Sequence, residues 1–162
     1  MQIKLADGFN GLGPARIRTT PMGADWKSRL EPEIQDAVTD PARQQLRDKL
    51  LSYGGEEALV RTSDIPADEI TRLLTRGEFW TGSKADFNKM QAINCHGNSV
   101  CLMEKGLGKV VNGCALSQDG MWRNHSWIVQ PNGRLIETTV RRKAYFGAVL
   151  SREEVAAEYT NI

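Results

Sequence analysis

A cysteine, a histidine and a glutamate follow one another through the second half of this chain at a spacing suited to thiol chemistry. Cys95 stands after Asn94 where a helical run begins. His125 opens His125-Ser126-Trp127, and Glu137 precedes Thr138-Thr139 after a turn at Gly133. A nucleophilic thiol needs a base to take its proton and a third group to orient that base. At a helix N-terminus the sulfur lies among unpaired backbone N–H groups and the positive end of the dipole, which favour an anion. Free thiols ionise near about pH 8.5, and such surroundings bring that value down. The same N–H groups can hold the oxyanion formed when sulfur attacks an acyl carbon, worth roughly 3–4 kcal/mol per well-placed donor.

The elements that must position these groups are legible in outline. Gly, Pro and small polar residues dominate 1–25, read as irregular with a short strand at Gln2–Leu5 or Ala15–Thr19. Trp26–Leu51 reads as helix in two pieces, punctuated by Pro32 and Pro41, with Asp40-Pro41 as cap and first-turn proline. Its second piece, sparse in apolar residues, reads as a surface helix ended by Gly54-Gly55. A further helix starts at Ile65-Pro66-Ala67, carries Ile70, Leu73 and Leu74 on one face, and stops at Gly77. Phe79–Gly82 reads as an aromatic turn. Ser83–Ile93 reads as a capped helix, because Phe87, Met90 and Ile93 recur every three residues. A break near Asn94 starts the helix Cys95–Glu104, terminated by Gly106 and Gly108.

The remainder alternates like strands: Lys109–Ser117, Trp122–Gln130, Arg134–Val140 and Ala144–Leu150. Asn132-Gly133 between two apolar runs is a hairpin signal. Ser151–Glu154 is a capping box for a final helix with Val155 and Tyr159. The fold class expected is α+β: a helical N-terminal part (1–90), a central helix with an antiparallel meander of three to four strands (91–150), and a C-terminal helix (151–162), as one domain. His125, Trp127 and Val129 share one face of their strand, and Leu135, Glu137 and Thr139 one face of the next. A tight hairpin sets His125 opposite a residue near 138–140, with Glu137 one diagonal step away.

The segment 91–140 resembles the catalytic core of the transglutaminase-like and papain-like cysteine enzymes. The residues that carry the resemblance are Cys95, His125-Ser126-Trp127 and Glu137-Thr138-Thr139: a helix-capping Cys, a His-x-Trp strand, and an acid before Thr on the following strand. Glu stands where Asp or Asn is usual, and the Cys is followed by His-Gly-Asn-Ser rather than the familiar contexts, so no subfamily is chosen. The resemblance implies a Cys95–His125–Glu137 triad acting on an amide or isopeptide bond of a protein or peptide. The outcome is hydrolysis, deamidation or transamidation, with no cofactor. It also implies an oxyanion donor just upstream of the Cys. Gln91, Asn94 and Trp80 are the side chains available there, Gln91 preferred, with Asn98 one turn into the helix as the alternative.

Other residues divide between function and packing. Adjacent helix residues point about 100° apart, so His96 is poorly placed to serve the sulfur and reads as a flank or substrate contact. Trp127 reads as an aromatic covering the site; Trp122 and Arg123 are substrate-facing or packed. Cys101 and Cys114 read as packing residues. Zinc is the competing use of Cys95, His96, Cys101, Cys114 and His125, but neither Cys-x-x-Cys nor paired His spacing occurs. Arg141-Arg142-Lys143 is a short basic run, read as a solvated turn or a rim for an acidic substrate.

Composition sets the outer bounds. In 162 residues the net charge is +1, with 40% hydrophobic and 25% charged residues, which gives no reason to expect nucleic acid or a membrane surface as partner. Three cysteines and no secretory signal over Met1–Asn10 argue against a disulfide framework. The expected location is cytoplasmic, with export by a dedicated system left open. Two readings contrast with a thiol enzyme: a non-catalytic protein-binding module on the same core, and a toxin or effector that modifies a host protein.

Overall fold

The computed structural model describes residues 17–20 and 40–159. The expectations for 1–16 and for the helical piece 26–39 lie outside them. Four helices lie among the described residues: α1 (Pro41–Tyr53), α2 (Ala67–Arg76), α3 (Cys95–Glu104) and α4 (Arg152–Glu158). Seven strands form one sheet: β1 (Glu57–Ala58), β2 (Glu78–Thr81), β3 (Ala85–Phe87), β4 (Lys109–Leu116), β5 (Met121–Val129), β6 (Leu135–Glu137) and β7 (Ala144–Val149). The fold is α+β.

Local chemistry explains most boundaries. The Asp40 side chain accepts from Ala42 N–H, with Pro41 in the first turn, and Gly54 at φ 144° ends α1. The Ser151 hydroxyl accepts from Glu154 N–H while the Glu154 carboxylate accepts from Ser151 N–H, so the capping box closes as the sequence predicts. α3 spans the residues the sequence predicts.

The sheet runs in the order β2-β7-β4-β5-β6-β3, with β1 added in parallel at the start of β5. It is a mixed sheet and not the expected meander: β3 pairs β6 in parallel, and β7 returns to β4 instead of following β6. Strand β7 can leave β6 because the chain from Thr138 to Lys143 carries it round to the opposite flank. The end strands β2 and β3 are consecutive in sequence, joined by a single 3₁₀ turn at Gly82–Lys84. A six-strand path whose two ends are tied by three residues has to curl, and this one does.

Three further expectations are corrected here. Phe79–Thr81 belongs to strand β2, paired with β7 from Glu78↔Gly147 to Thr81↔Ala144, and is not a turn. Ser83–Ile93 is the 3₁₀ turn followed by strand β3, and not a helix. The three-residue recurrence of Phe87, Met90 and Ile93 misleads because Ala85 and Phe87 also alternate, and their partner strand lies about fifty residues away. Residues 57–87 therefore contribute three strands to a part expected to be mostly helical. α1 is also less superficial than expected, since Leu46 and Leu50 are fully buried and Arg43 nearly so.

Alternation divides the core. Even-numbered residues of β4, β5 and β7 face the helices: Cys114, Leu116, Trp122 and Phe146 pack with Leu46, Leu50, Ile70 and Leu73. Val110, Ile128 and Leu150 pack with Leu102, Met103 and Val155 in the same layer. Odd-numbered residues line the concave face, where Val111, Ala115, Trp127, Leu135 and Tyr145 pack together with Trp80. Trp122, left open between substrate and packing, is packed: it is fully buried and its indole N–H donates to Gly54 C=O at 3.0 Å.

Gly113 sits opposite both His125 and Gly147 in the middle strand. A Cβ there would stand 2.1 Å from Phe146 O and 2.4 Å from Gly147 Cα, both backbone atoms that cannot swing away. Gly113→Ala is expected to cost about 3 kcal/mol, read as a lower urea midpoint. An unchanged midpoint would contradict the strand spacing.

Candidate active site

The hydrogen-bond ladder between β5 and β6 is only two pairs long, Val129↔Leu135 and Ile128↔Ile136. Continued, it would set Ser126 against Thr138 and His125 against Thr139. It stops instead, and the two strands part. Arg134–Val140 was expected to run as strand, but β6 ends at Glu137. The start of α3 enters beside this gap: Asn98 Nδ2 donates to Gln91 C=O at 2.8 Å and to Thr138 Oγ1 at 3.1 Å. Asn88 and Met90 N–H donate to the carbonyls of Glu137 and Thr138.

At the gap, groups from the two faces of the sheet meet. His125 and Glu137 belong to the concave side, and α3 to the other. The half-buried Cys95 thiol lies beside the His125 imidazole and beside Ser126 N–H, freed from the ladder, and both act on its charge. His125 Nε2–H donates to Glu137 at 2.9 Å from Oε2 and 3.1 Å from Oε1, leaving Nδ1 for the sulfur. His125 and Glu137 are 2% and 1% exposed, so the pair is shielded from bulk water.

Glu137 is held by more than His125. Thr139 N–H and Oγ1–H donate to Oε1 at 2.9 and 3.1 Å, and Tyr145 O–H donates to Oε2 at 2.9 Å. The Arg142 guanidinium lies 4.0 Å away. A buried carboxylate is tolerated only when its lone pairs are met in this way. Behind the imidazole, Trp127 stacks at 6.0 Å between ring centroids, with Tyr145 4.9 Å from Trp127 and Trp80 edge-on at 6.1 Å.

The charge states follow from this arrangement. Burial alone would push the Cys95 thiol up, but the His125 hydrogen bond, its positive charge and Ser126 N–H outweigh it and hold the thiol below its ordinary value. Burial likewise opposes the charged form of His125, yet its bonds to Cys95 and Glu137 raise it above the usual imidazole range. Burial would raise Glu137, but His125, Thr139 and Tyr145 bring it below the usual carboxylate value. All three shifts favour a thiolate–imidazolium–carboxylate chain. Burial pushes the Cys114 thiol strongly up, consistent with packing, and Cys101 is exposed on α3.

Cys95, His125 and Glu137 are thus brought together. Gln91 is exposed in the segment before α3, with Oε1 accepting from Asn94 Nδ2 at 3.1 Å. Asn94 is the N-cap residue but makes no side-chain cap bond. Ile93 just before it takes φ 57°, a left-handed conformation costly for a β-branched residue, which forms the predicted break. His96 does not serve the sulfur: its Nδ1 shares a 2.5 Å hydrogen bond with Ser126 Oγ, and its ring stacks on Tyr159. Burial and the charge of His125 lower its pKa, so it is held neutral. Trp127 is wholly buried and forms the wall behind His125. Among the described residues, no three His, Cys, Asp or Glu side chains form a group that could hold a metal. No helix among them is long and apolar enough to cross a membrane.

Tyr145 is not named by the sequence reading; Ser126 and Thr139 stand there only as parts of the two motifs, and Arg142 only within the basic run read as a turn or a rim. Thr139 is two residues beyond Glu137 and was within reach of local reasoning. Tyr145 was not, because nothing local says that β7 pairs β4 with Ala115↔Tyr145. Compared with known proteins, the chain matches no family model, no curated protein and no solved structure.

The shifts have a consequence for stability. Glu137, lowered, contributes stability that is present above the ordinary carboxylate value and lost as pH falls through its folded value. His125, raised, contributes stability that is full below about pH 6.5 and lost as pH rises through its folded value. The protein is expected to exceed Glu137→Gln by about 2 kcal/mol in urea unfolding between about pH 5 and 6.5, less on either side. A difference that is flat from about pH 3 to 9 would contradict the ion pair.

Proposed function

We propose that the chain is a cysteine hydrolase or acyltransferase acting on an amide or isopeptide bond of a protein or peptide, on a papain/transglutaminase-like core. The observation that carries this reading is the buried 2.9 Å hydrogen bond from His125 to Glu137, with the half-buried Cys95 thiol beside the same imidazole. Supporting it is the chain order: thiol at the start of a helix, His on the second strand after it, acid on the third.

In the reaction so read, the Cys95 thiolate attacks the acyl carbon and the carbonyl π-bond shifts onto oxygen. The resulting oxyanion lies against the first-turn N–H groups of α3, which have no partners within the helix. On collapse the C–N bond breaks, and the imidazolium of His125 gives its proton to the leaving amine or ammonia. A thioester on Cys95 remains. His125, neutral again, takes a proton from water or from an acceptor amine, which attacks the thioester and restores the thiol. Glu137 keeps the imidazole in one tautomer and offsets its charge, as the third member of a triad does. Water gives peptidase, amidase or deamidase activity; an amine gives transamidation. Every proton and bond balances without a cofactor.

Incubation with peptidyl amides and glutamine-containing peptides, followed by intact-mass spectrometry, is expected to show an acyl adduct on Cys95. Cys95→Ala should form none, and His125→Ala should form it about a thousandfold more slowly. An unmodified mass with every substrate, or an adduct that survives in Cys95→Ala, would refute the assignment.

A further inference from the structure

The acid beside His125 is a glutamate, whose side chain turns about one more bond than the aspartate or asparagine of the enzymes it resembles. His125 alone does not fix it. Its Nε2–H forks between the two oxygens, 2.9 Å from Oε2 and 3.1 Å from Oε1, and a forked bond sets direction poorly. Oε1 is held by Thr139, which donates from both N–H and Oγ1–H. Oε2 is the oxygen nearer to His125. Among the described residues, its one hydrogen-bond donor besides the imidazole is the Tyr145 O–H at 2.9 Å.

Of the two partners, Tyr145 is the fixed one. Its backbone is paired on both sides, with Trp80 in β2 and Ala115 in β4, and the residue is fully buried. Its ring lies 4.9 Å from Trp127 and 6.5 Å from His125 between centroids. Few torsions separate its backbone from its hydroxyl, so ladder and packing leave the O–H little freedom. Glu137, by contrast, ends its strand beyond the last β5–β6 pair. Burial and the Glu137 charge push the phenol far up, against the pull of Arg142 and Arg141, so it keeps its proton and stays a donor.

The other charged groups about the carboxylate are few. Arg142 Nε stands 4.0 Å from Oε2, while Arg142 Nη1 donates to Ser117 Oγ at 2.6 Å. Cys95 lies beside the imidazole. Strand β3 brings Asp86, which is exposed and paired with Arg134. Arg141, Arg142 and Lys143 share with Glu137 and Tyr145 the wall of a cavity of about 250 Å³. We propose that Tyr145 is a positioning residue of the triad: its O–H fixes Glu137 Oε2 and, through that oxygen, the set of the His125 imidazole beside Cys95. This rests on the thiol-enzyme reading given above and adds to it the group that decides how far into acid the charged pair survives. Burial would raise Glu137, and the donors from His125, Thr139 and Tyr145 hold it low. Without the phenol its folded value rises. As pH falls, the carboxylate and the imidazolium it supports are then lost sooner.

Tyr145→Phe, which keeps the ring and removes the hydroxyl, is compared with Thr139→Val, which leaves Oε1 its N–H donor. The Glu137 carboxyl carbon resonance, identified by its loss in Glu137→Gln, is titrated toward acid in protein labelled with carbon-13 glutamate. Its midpoint should rise by about one to two pH units in Tyr145→Phe, the effect of one hydrogen bond to a charged group, and by less in Thr139→Val. In protein made with fluorotyrosine, whose O–H is the stronger donor, the midpoint should move down; this arm needs no variant to fold. Acylation of Cys95 by a saturating peptidyl coumarin amide at neutral pH should slow about tenfold in Tyr145→Phe, with the half-saturating concentration unchanged. An unmoved midpoint in Tyr145→Phe or with fluorotyrosine, or an equal rise in Thr139→Val, would overturn the proposal. Acylation as fast in Tyr145→Phe as in the protein itself would also overturn it, and would leave the enzyme reading standing. A shifted midpoint with no acylation by any peptide, even in the protein itself, would keep the hold of Tyr145 on Glu137 and sink the enzyme reading.

Discussion

An ionised carboxylate inside a protein is expensive unless its oxygens are fully engaged, and Glu137 is the point at which this structure meets that cost. Four donors converge on it from three segments: His125 from β5, Thr139 from the loop after β6, and Tyr145 from β7. β5 and β6 are adjacent in the sheet, whereas β7 lies beyond β4, and the curl brings Tyr145 across to the carboxylate. Lose the curl, and the carboxylate is left buried with too few partners. The imidazolium it holds, and the thiolate that imidazolium holds, would go with it.

The early end of the β5–β6 ladder is the second constraint. A complete ladder would use Ser126 N–H in a bond to the next strand and close the gap between the faces. Because pairing stops at Ile128↔Ile136, Ser126 N–H turns to the Cys95 sulfur. The helix-side thiol can then reach a histidine that faces the concave core. The side chain of Ser126 is engaged elsewhere: its hydroxyl joins His96, Asn112 and Tyr159. One strand residue thus touches the surroundings of Cys95 through its backbone and the His96–Asn112–Tyr159 group through its side chain. The rigid wall of Trp127, Tyr145 and Trp80 fixes the imidazole plane between them.

What could be read from sequence was local. The bounds of α3, the closing cap of α4 and the Asp40-Pro41 start of α1 all depend on residues within one turn of each other. The Asn132-Gly133 hairpin is equally local, and its register would have set His125 opposite Thr139 had pairing continued past Ile128↔Ile136. What could not be read was partnership. The parallel pairing of β3 with β6, the return of β7 to β4, and the strand identity of Phe79–Thr81 all depend on contacts across about thirty to seventy residues. Tyr145 owes its position to those contacts, so its role was invisible. The three-residue recurrence of Phe87, Met90 and Ile93 shows the reverse failure: a helical period with no helix, overridden by a distant strand.

The most direct test of the thiolate–imidazolium pair is the pH dependence of iodoacetamide alkylation at Cys95, resolved by peptide mass spectrometry with exposed Cys101 as the internal reference. The account predicts that Cys95 stays reactive well below the pH at which an ordinary thiol fades, and that its profile moves upward in His125→Ala. A Cys95 profile at or above the ordinary thiol range, and the same in both proteins, would contradict it.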